Sequence, residues 1–427
     1  FFKDLSDHLS NVTIQPKTLS KQNKKFPLPD VDHIGMIVKM YDNMDTVRVG
    51  QLVDVIGILG NTMTTSTTEH HDQQDIINDF DSNLSQYNGT MVLHAITYSP
   101  VDPSSPFTHQ QINDTLQQAR DIRDPLINYI AGSFGGDKLV GEFVLLQLLS
   151  KVSNQHHGMK LGQFSLNITK VPDTTTTKET NDKNTITTNP LELKNPITKS
   201  INDMLSNLIS HQVSLPLTID HLNKLQYIPK SINENLTSGI LQLVAGTRIL
   251  IDETGLSEGQ LVDSGVRNMQ AIINVIQNQT LSYAFPYSQF DFDTDLGIIT
   301  LSSRKSLLPN HCTIPLEPIF PLDQNQFENR ALPSKQELDA FRIYLQGARN
   351  ANYEISDSIS QFIQNEFVNE RKRASEQSLP LPSHDDLMLR MNLCRLVSLS
   401  FGETQLTKET YEYVVHLDHL RKSRINP

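Results

Sequence analysis

The sequence predicts an α/β protein with a small β-barrel near its N-terminus and a helical segment at its C-terminus. Residues 26–107 contain short segments rich in β-branched residues and separated by polar turns, as in a small antiparallel barrel. Residues 108–320 alternate strand-like and helical segments, which is typical of a mainly parallel sheet covered by helices. Residues 321–427 show helical periodicity after a proline-rich connector. We therefore expect a barrel, an α/β core and a helical lid, preceded by a flexible lead-in at residues 1–25.

Charge, cysteine content and hydropathy narrow the possible functions. The chain has 427 residues, a net charge of −12 and two cysteines, Cys312 and Cys394. A negative balance argues against broad affinity for phosphate backbones, because nucleic-acid binders usually concentrate Lys and Arg on one face. So few cysteines indicate a reducing compartment rather than a disulfide or zinc framework. No apolar run approaches the span of a bilayer. We expect protein partners, with no membrane association, no cofactor and no strong direct nucleic-acid binding.

The barrel prediction depends on four strand-like segments, which are Met36–Tyr41, Val47–Val49, Leu52–Leu59 and Met91–Ile96. Gly57 suits a sharp bend at a barrel corner. Residues 61–88 are too polar to form a core, and they predict a long flexible loop. His70 and His71 in this loop lack a second ligand cluster, so we assign no metal to them.

The core prediction begins at Thr108, with a helical region that runs to Val152 and includes a nearly all-apolar, buried helix. Pro172–Pro190 is low in complexity, and we expect it to be a disordered insertion. The remaining strand-like segments are Phe164–Ile168, Val213–Thr218, Ile249–Asp252, Leu281–Tyr287 and Gly297–Ser302. The helical segments between them are Ile197–His211, Ile219–Leu225 and Asn268–Gln277.

The C-terminal region is predicted to be a connector at Pro309–Pro333 followed by helices. The helical segments begin near Phe341 and continue through Ile355–Glu370, Asp385–Ser400 and Lys408–Ser423. Thr407 is a suitable cap for the last of them. The basic runs Arg371–Arg373 and Arg421–Arg424 are either import signals or solvated helix ends.

Asp252 and Glu253 are the candidate site residues. They follow a buried strand, so their carboxylates should emerge at the C-terminal edge of the sheet. In nucleotide-hydrolysing proteins an acidic pair at this place holds Mg²⁺ and polarises a water molecule. The matching phosphate-binding motif, G-x-x-x-x-G-K-[ST], does not occur in the sequence, and the nearest segment, Gly132–Lys138, has Asp137 beside its lysine. We therefore expect the two carboxylates to cap the following turn, each contributing about 1 kcal/mol.

A series of short segments, in order from Phe26 to the C-terminus, carries a family resemblance. The segments are Phe26–Pro29, Ile37–Tyr41, Val53–Leu59, Gly136–Phe143, Leu161–Asn167, Ser238–Leu243, Ile251–Thr254, Glu258–Leu261, Ser306–Pro309 and Phe341–Leu345. Together they closely resemble the MCM-binding protein family, whose members associate with the minichromosome maintenance (MCM) helicase. Family members carry a further N-terminal region, and we expect that most of it is not included in this sequence.

The resemblance implies an OB-like barrel, a degenerate AAA+-like core and a helical lid similar to those of the helicase subunits. Asp252 and Glu253 would then be a degenerate Walker-B-like motif without catalytic activity. It also implies a nuclear factor that binds MCM helicase subunits and reaches chromatin indirectly. Its expected roles are in DNA replication, through helicase assembly and unloading from chromatin, and in sister-chromatid cohesion.

Two alternatives remain open at this stage. The first is a nucleotide hydrolase of AAA+ type that uses Asp252 and Glu253, with Arg304 or Lys305 near the phosphate. The second is a single-strand binder that acts through the barrel, although its strands offer Tyr41 and few other aromatic residues for base stacking.

Overall fold

The computed structural model describes residues 26–28, 35–41, 47, 49–61, 91–101, 107–154, 160–173, 191–232, 235–322, 332–377 and 381–425. Strands and helices occur together throughout these ranges, which confirms the predicted α/β class. The predicted lead-in at residues 1–25 lies outside the described residues. So do His70, His71 and nearly all of their predicted loop, and residues 174–190 of the predicted insertion.

The described strands are β1 (Met36–Lys39), β2 (Val53–Asn61), β3 (Met91–Pro100), β4 (Ser153–Asn154), β5 (Lys160–Leu161), β6 (Leu166–Thr169), β7 (Gln212–Pro216), β8 (Lys230–Ile232), β9 (Asn235–Thr237), β10 (Arg248–Asp252), β11 (Thr280–Ala284), β12 (Gln289–Asp293), β13 (Gly297–Leu301) and β14 (Cys312–Pro315). The described helices are α1 (His109–Gln117), α2 (Ala119–Gly132), α3 (Lys138–Leu149), α4 (Pro196–Leu208), α5 (Ile219–Lys224), α6 (Asp263–Asn278), α7 (Lys335–Asn350), α8 (Asp357–Glu376), α9 (His384–Ser400) and α10 (Lys408–Ile425).

The N-terminal strands form an open, three-stranded sheet. Strand β3 lies in its centre and pairs antiparallel with β2 and parallel with β1. A β-bulge shifts the register between Ile56 and Gly57, so the bend expected at the glycine is present. Within residues 26–101, as far as they are described, the sheet does not close on itself and neither Val47 nor Val49 belongs to a strand. The predicted OB-like barrel is therefore not confirmed.

The centre of the fold is a five-stranded parallel sheet with the spatial order β14-β6-β13-β10-β7. Every residue of β10 and β13 is buried. This burial follows from the covering of both faces of a parallel sheet, and it explains why these strands are continuous apolar runs in the sequence. Strand β14 lies within the segment that we predicted to be a connector. That prediction was wrong for Cys312–Pro315, because pairing with β6 buries Cys312 and Ile314.

A smaller four-stranded sheet, ordered β12-β11-β8-β9, lies outside the central sheet, and β4 and β5 form a separate antiparallel pair. Strands β11 and β12 form an antiparallel hairpin in the connection from α6 to β13. The sequence predicted β11 but not β12, whose residues are all exposed and do not show a core pattern.

The main hydrophobic cluster joins the central sheet to the C-terminal helices. It includes Leu146 of α3, Leu166 of β6, Tyr344 of α7, Leu393 of α9 and Val414 of α10, all fully buried. The core is thus continuous across the predicted boundary between core and lid, and the domain boundaries stay predictions. None of the helices in the described ranges combines the length and apolar composition needed to cross a bilayer.

Candidate functional site

Asp252 and Glu253 lie at the C-terminal end of β10, between the ends of β13 and β7. The backbone nitrogen of Glu253 donates to the carbonyl oxygen of Leu301 at 2.9 Å, and that of Leu217 donates to the carbonyl oxygen of Asp252 at 2.8 Å. Both acidic side chains are buried, with 5% and 6% of their residue surfaces exposed. The acidic pair is therefore held by the sheet itself and occupies its C-terminal edge.

Asp252 stabilises the turn that follows its own strand. Its Oδ1 accepts hydrogen bonds from the backbone nitrogen of Thr254 at 2.9 Å and from the Thr254 hydroxyl at 2.6 Å. The amide nitrogen of Asn195 donates to the same hydroxyl oxygen at 3.2 Å and to the carbonyl oxygen of Pro172 at 3.1 Å. Asn195 also caps α4 by accepting from the backbone nitrogen of Ile197. Asp252 thus connects the end of β10 to the beginning of α4.

Glu253 is covered by the loop that follows β13. Its carboxylate accepts hydrogen bonds from the hydroxyl of Ser306 and the backbone nitrogen of Leu307, whereas Oε1 has no hydrogen-bond partner. Burial raises the pKa of Glu253 to about 7, and the neighbouring Asp252 contributes in the same direction, while the two hydrogen bonds oppose the shift. The carboxyl group is consequently expensive to ionise in the folded protein.

The neighbouring strands add a polar pair to this edge. The Ser302 hydroxyl, just after β13, donates to Oδ1 of Asn167 in β6 at 3.0 Å, and both residues are buried. Sequence reasoning placed Ser302 at the end of a buried strand, but it missed Asn167 and Asn195. Only Asn195 has a recognisable signal, because an Asn immediately before Pro196 is typical of a helix N-cap.

The basic residues required by the hydrolase alternative are exposed. Arg304 and Lys305 lie on the loop after β13 with high solvent exposure, whereas the next two residues of the loop turn towards Glu253. The structure therefore brings Ser306, and neither of the two cations, into contact with the acidic pair.

The segment Gly132–Lys138 joins two helices and follows no strand. Asp137 caps α3 by accepting from the backbone nitrogens of Leu139 and Val140 at 3.1 and 3.2 Å. Its buried carboxylate also pairs with Arg424 of α10 at 2.6 Å. Asp137, which makes this segment unsuitable for binding phosphate, thus stabilises the start of α3 and the packing of α10.

The two glycines of the same segment form its turn. Gly135 and Gly136 have φ angles of 65° and 82°, a region that favours glycine. The carbonyl oxygen of Gly135 accepts from the backbone nitrogens of Ile319 and Phe320 at 2.8 and 3.1 Å, and the Phe320 ring packs over Gly136. The carbonyl is occupied and the turn is covered by protein.

A phosphate cradle joins a central strand to the helix that follows it, and the β6–α4 connection is one such position in this sheet. Residues 170–195 form it, contain no glycine and include the low-complexity insertion. Glycines allow the backbone of such a cradle to approach the phosphate closely, so this connection lacks the required residue type.

No group of three or more His, Cys, Asp or Glu side chains in the described ranges is arranged to hold a metal ion. Cys312 and Cys394 are free and buried, and burial raises the pKa of each thiol to about 12. Both cysteines behave as small core residues.

Comparison with known proteins found a matching family profile and several similar proteins. A family profile described as "Mini-chromosome maintenance replisome factor" matches residues 3–425. The mini-chromosome maintenance complex-binding protein of Salmo salar is 28% identical over 440 residues, which cover 97% of this chain and 66% of that protein. The Homo sapiens protein of the same name is 27% identical, covering 94% of this chain and 63% of that protein. An Arabidopsis thaliana relative is 26% identical, with 93% and 64% covered. The chain spans slightly less than two thirds of the length of these relatives.

Proposed function

The chain belongs to the family of mini-chromosome maintenance replisome factors, and we propose that it is a non-catalytic binding factor for the MCM helicase complex. The names of its relatives, which are MCM complex-binding proteins, support this function.

The central sheet supports a relationship to AAA+ ATPase cores. Numbered along the chain, its five parallel strands have the spatial order 5-1-4-3-2, and the acidic pair ends the third. This arrangement supports the proposal of a degenerate AAA+-like core, in which the acidic pair would belong to the Walker-B motif. We propose that the chain shares the shape of a helicase subunit and uses it to contact the MCM complex.

The non-catalytic proposal rests on one observation, which is that other residues of the protein itself contact both acidic side chains. Asp252 is hydrogen bonded to Thr254, and Glu253 is covered by Ser306 and Leu307. The β6–α4 connection without glycine supports the same proposal. An active hydrolase needs these carboxylates free to hold Mg²⁺ and to activate water.

The cellular role that we propose follows from the family resemblance. The protein would act in the nucleus during DNA replication, with functions in MCM helicase assembly, unloading from chromatin and sister-chromatid cohesion. Contact with chromatin would be indirect, through MCM subunits, since the net charge of −12 does not favour direct binding to DNA.

The binding proposal is tested by immobilising the chain and titrating each purified MCM subunit at low and moderate salt. We expect saturable binding of at least one subunit that persists at moderate salt, because apolar anchors contribute more than exposed charges to a protein interface. Failure of every subunit and of the assembled complex to bind would contradict it.

The non-catalytic proposal is tested separately by measuring phosphate release from Mg-ATP with the wild-type chain and with Glu253→Gln. We expect no release above buffer from either protein. Hydrolysis by the wild type that disappears in Glu253→Gln would instead support the AAA+ hydrolase. Glu376→Gln, the same substitution at an exposed position away from the acidic pair, is the control.

A further inference from the structure

A cavity of about 640 Å³ lies at the edge of the central sheet opposite the acidic pair. It opens where β7 and β10 begin, whereas Asp252 and Glu253 follow the end of β10. Three arginines line it, namely Arg248 at the start of β10 and Arg342 and Arg349 on α7. We call it the arginine cavity. It lies between the α/β core and the first C-terminal helix.

Two of the three arginines are paired with carboxylates. Nη1 of Arg342 lies 3.0 Å from Oδ1 of Asp339, and Nη2 of Arg349 lies 2.8 Å from Oδ2 of Asp295. These two ion pairs are electrically balanced, so they leave no excess charge of their own at the cavity.

Arg248 has no carboxylate partner in the described part of the chain. Its Nη2 donates to the carbonyl oxygens of Leu148 and Ser150 at 2.8 and 2.7 Å, and its Nη1 has no hydrogen-bond partner. Only 2% of the residue surface is exposed. Burial lowers the pKa of Arg248 to about 9, and repulsion from Arg349 adds to this effect while Asp295 opposes it. Unpaired buried charge is costly, so an anion in the cavity would stabilise this guanidinium.

The remaining surface of the cavity is mostly apolar, with Ser206, Ser210 and His211 as further polar members. Leu148, Leu208 and Leu345 contribute aliphatic surface, and buried Gln346 brings an Oε1 atom that has no hydrogen-bond partner. Cavities of this volume, with apolar walls and a few convergent polar groups, are typical of small-molecule sites. The single uncompensated charge limits the ligand to one negative charge.

We propose that the arginine cavity binds a small monoanion with an apolar body, such as an aromatic carboxylate or sulfonate. The anionic group would pair with Arg248, and the apolar body would pack against Leu148, Leu208 and Leu345. This site is independent of the acidic pair and of the proposed binding to the MCM complex.

The test uses two fluorescent probes that differ in charge. 8-Anilinonaphthalene-1-sulfonate carries one sulfonate on an apolar body, and N-phenyl-1-naphthylamine is the same body without the sulfonate. We expect saturable binding of about one sulfonate probe per chain, weakened about tenfold or more by Arg248→Gln, because a charge-assisted contact is lost. The uncharged probe should bind Arg248→Gln as well as it binds the wild type.

A second variant keeps the test valid if Arg248→Gln does not fold. Arg342→Gln removes a cation from the cavity wall and leaves Asp339 unpaired there, so it should also weaken binding of the sulfonate probe. Arg304→Gln makes the same charge change on an exposed loop and should have no effect. Equal affinity of the sulfonate probe for the wild type and the cavity variants would overturn the proposal. Equal weakening of the binding of both probes by the cavity variants would also overturn it, since the arginines would then not be recognising charge.

Discussion

The difference in stability between the Glu253→Gln variant and the wild type should change in favour of the variant as the pH rises. Burial raises the pKa of this carboxyl from 4.5 to about 7. Between these values the folded protein retains a proton that the unfolded chain has lost. The wild-type free energy of unfolding therefore falls as the pH increases through this window, and the loss is complete above the folded-state pKa. Glutamine does not titrate and avoids this loss.

The expected size of the effect follows from the two pKa values. The difference, 7 − 4.5, is about 2.5 pH units. At about 1.36 kcal/mol for each unit, the wild type loses on the order of 3 kcal/mol across the window. Glu253 is only 6% exposed, so solvent screening reduces this value little. The amide nitrogen of the glutamine would have no partner at the site of Oε1, but that cost does not depend on pH.

The assay is urea denaturation of the wild type and Glu253→Gln at a series of pH values from about 4.5 to about 8. The variant-minus-wild-type difference in unfolding free energy should rise by about 3 kcal/mol across this range. Asp252→Asn is the matched control, and it should cost about 1 kcal/mol because it weakens the charge-assisted hydrogen bonds to Thr254. A difference for Glu253→Gln that stays constant with pH would refute the argument, because Glu253 would then titrate in its ordinary range.

Three further predictions concern the core, a turn and the cysteines. Glu142→Leu should lower the free energy of unfolding by about 3 kcal/mol, because it leaves the buried Arg123 with only the exposed Asp124, 3.7 Å away, as an ionic partner. Adding Arg123→Met should restore much of this loss in urea denaturation, and no recovery would contradict the pairing. Gly136→Ala should lower the free energy of unfolding by about 2 kcal/mol, since φ is 82° and the new methyl group would clash with the Phe320 ring. An unchanged Tm in calorimetry would disprove this. Cys312 and Cys394 should resist Ellman's reagent at about pH 8 until denaturant is added, because burial raises both thiol pKa values to about 12. Fast reaction of the folded protein would argue against their burial.

The Glu253 prediction also revises an expectation made from the sequence. Both acidic residues were expected to stabilise the turn after β10. The structure assigns that role to Asp252, whose Oδ1 accepts two hydrogen bonds from Thr254. Glu253 points instead into the loop after β13 and loses its hydration there. Two adjacent carboxylates therefore have opposite expected effects on stability, because consecutive residues at a strand end face different surroundings.

Much of the local structure could be predicted from the sequence because it depends on neighbouring residues. The apolar run of α3, the buried strands β10 and β13, and helices α9 and α10 were expected within three residues of their observed bounds, whereas α7 begins and α8 ends six residues beyond the predicted bound. Thr407 caps α10 as predicted, accepting from the backbone nitrogen of Thr410 at 3.2 Å. The sequence also placed Asp252 and Glu253 at a strand end, since a buried run followed by acidic residues indicates that position by itself.

The tertiary structure alone decided which distant segments meet. Strand β14 forms because Cys312–Pro315 pairs with β6, more than a hundred residues earlier, and no local pattern records that pairing. The strand order showed that Gly132–Lys138 follows no strand of the central sheet, whereas the β6–α4 connection joins a central strand to a helix. The raised pKa of Glu253 and the unpaired Arg248 likewise depend on burial by residues far away in the chain. Local periodicity determines helices and strands, whereas strand pairing, burial and charge balance are set by long-range contacts that form only in the folded chain.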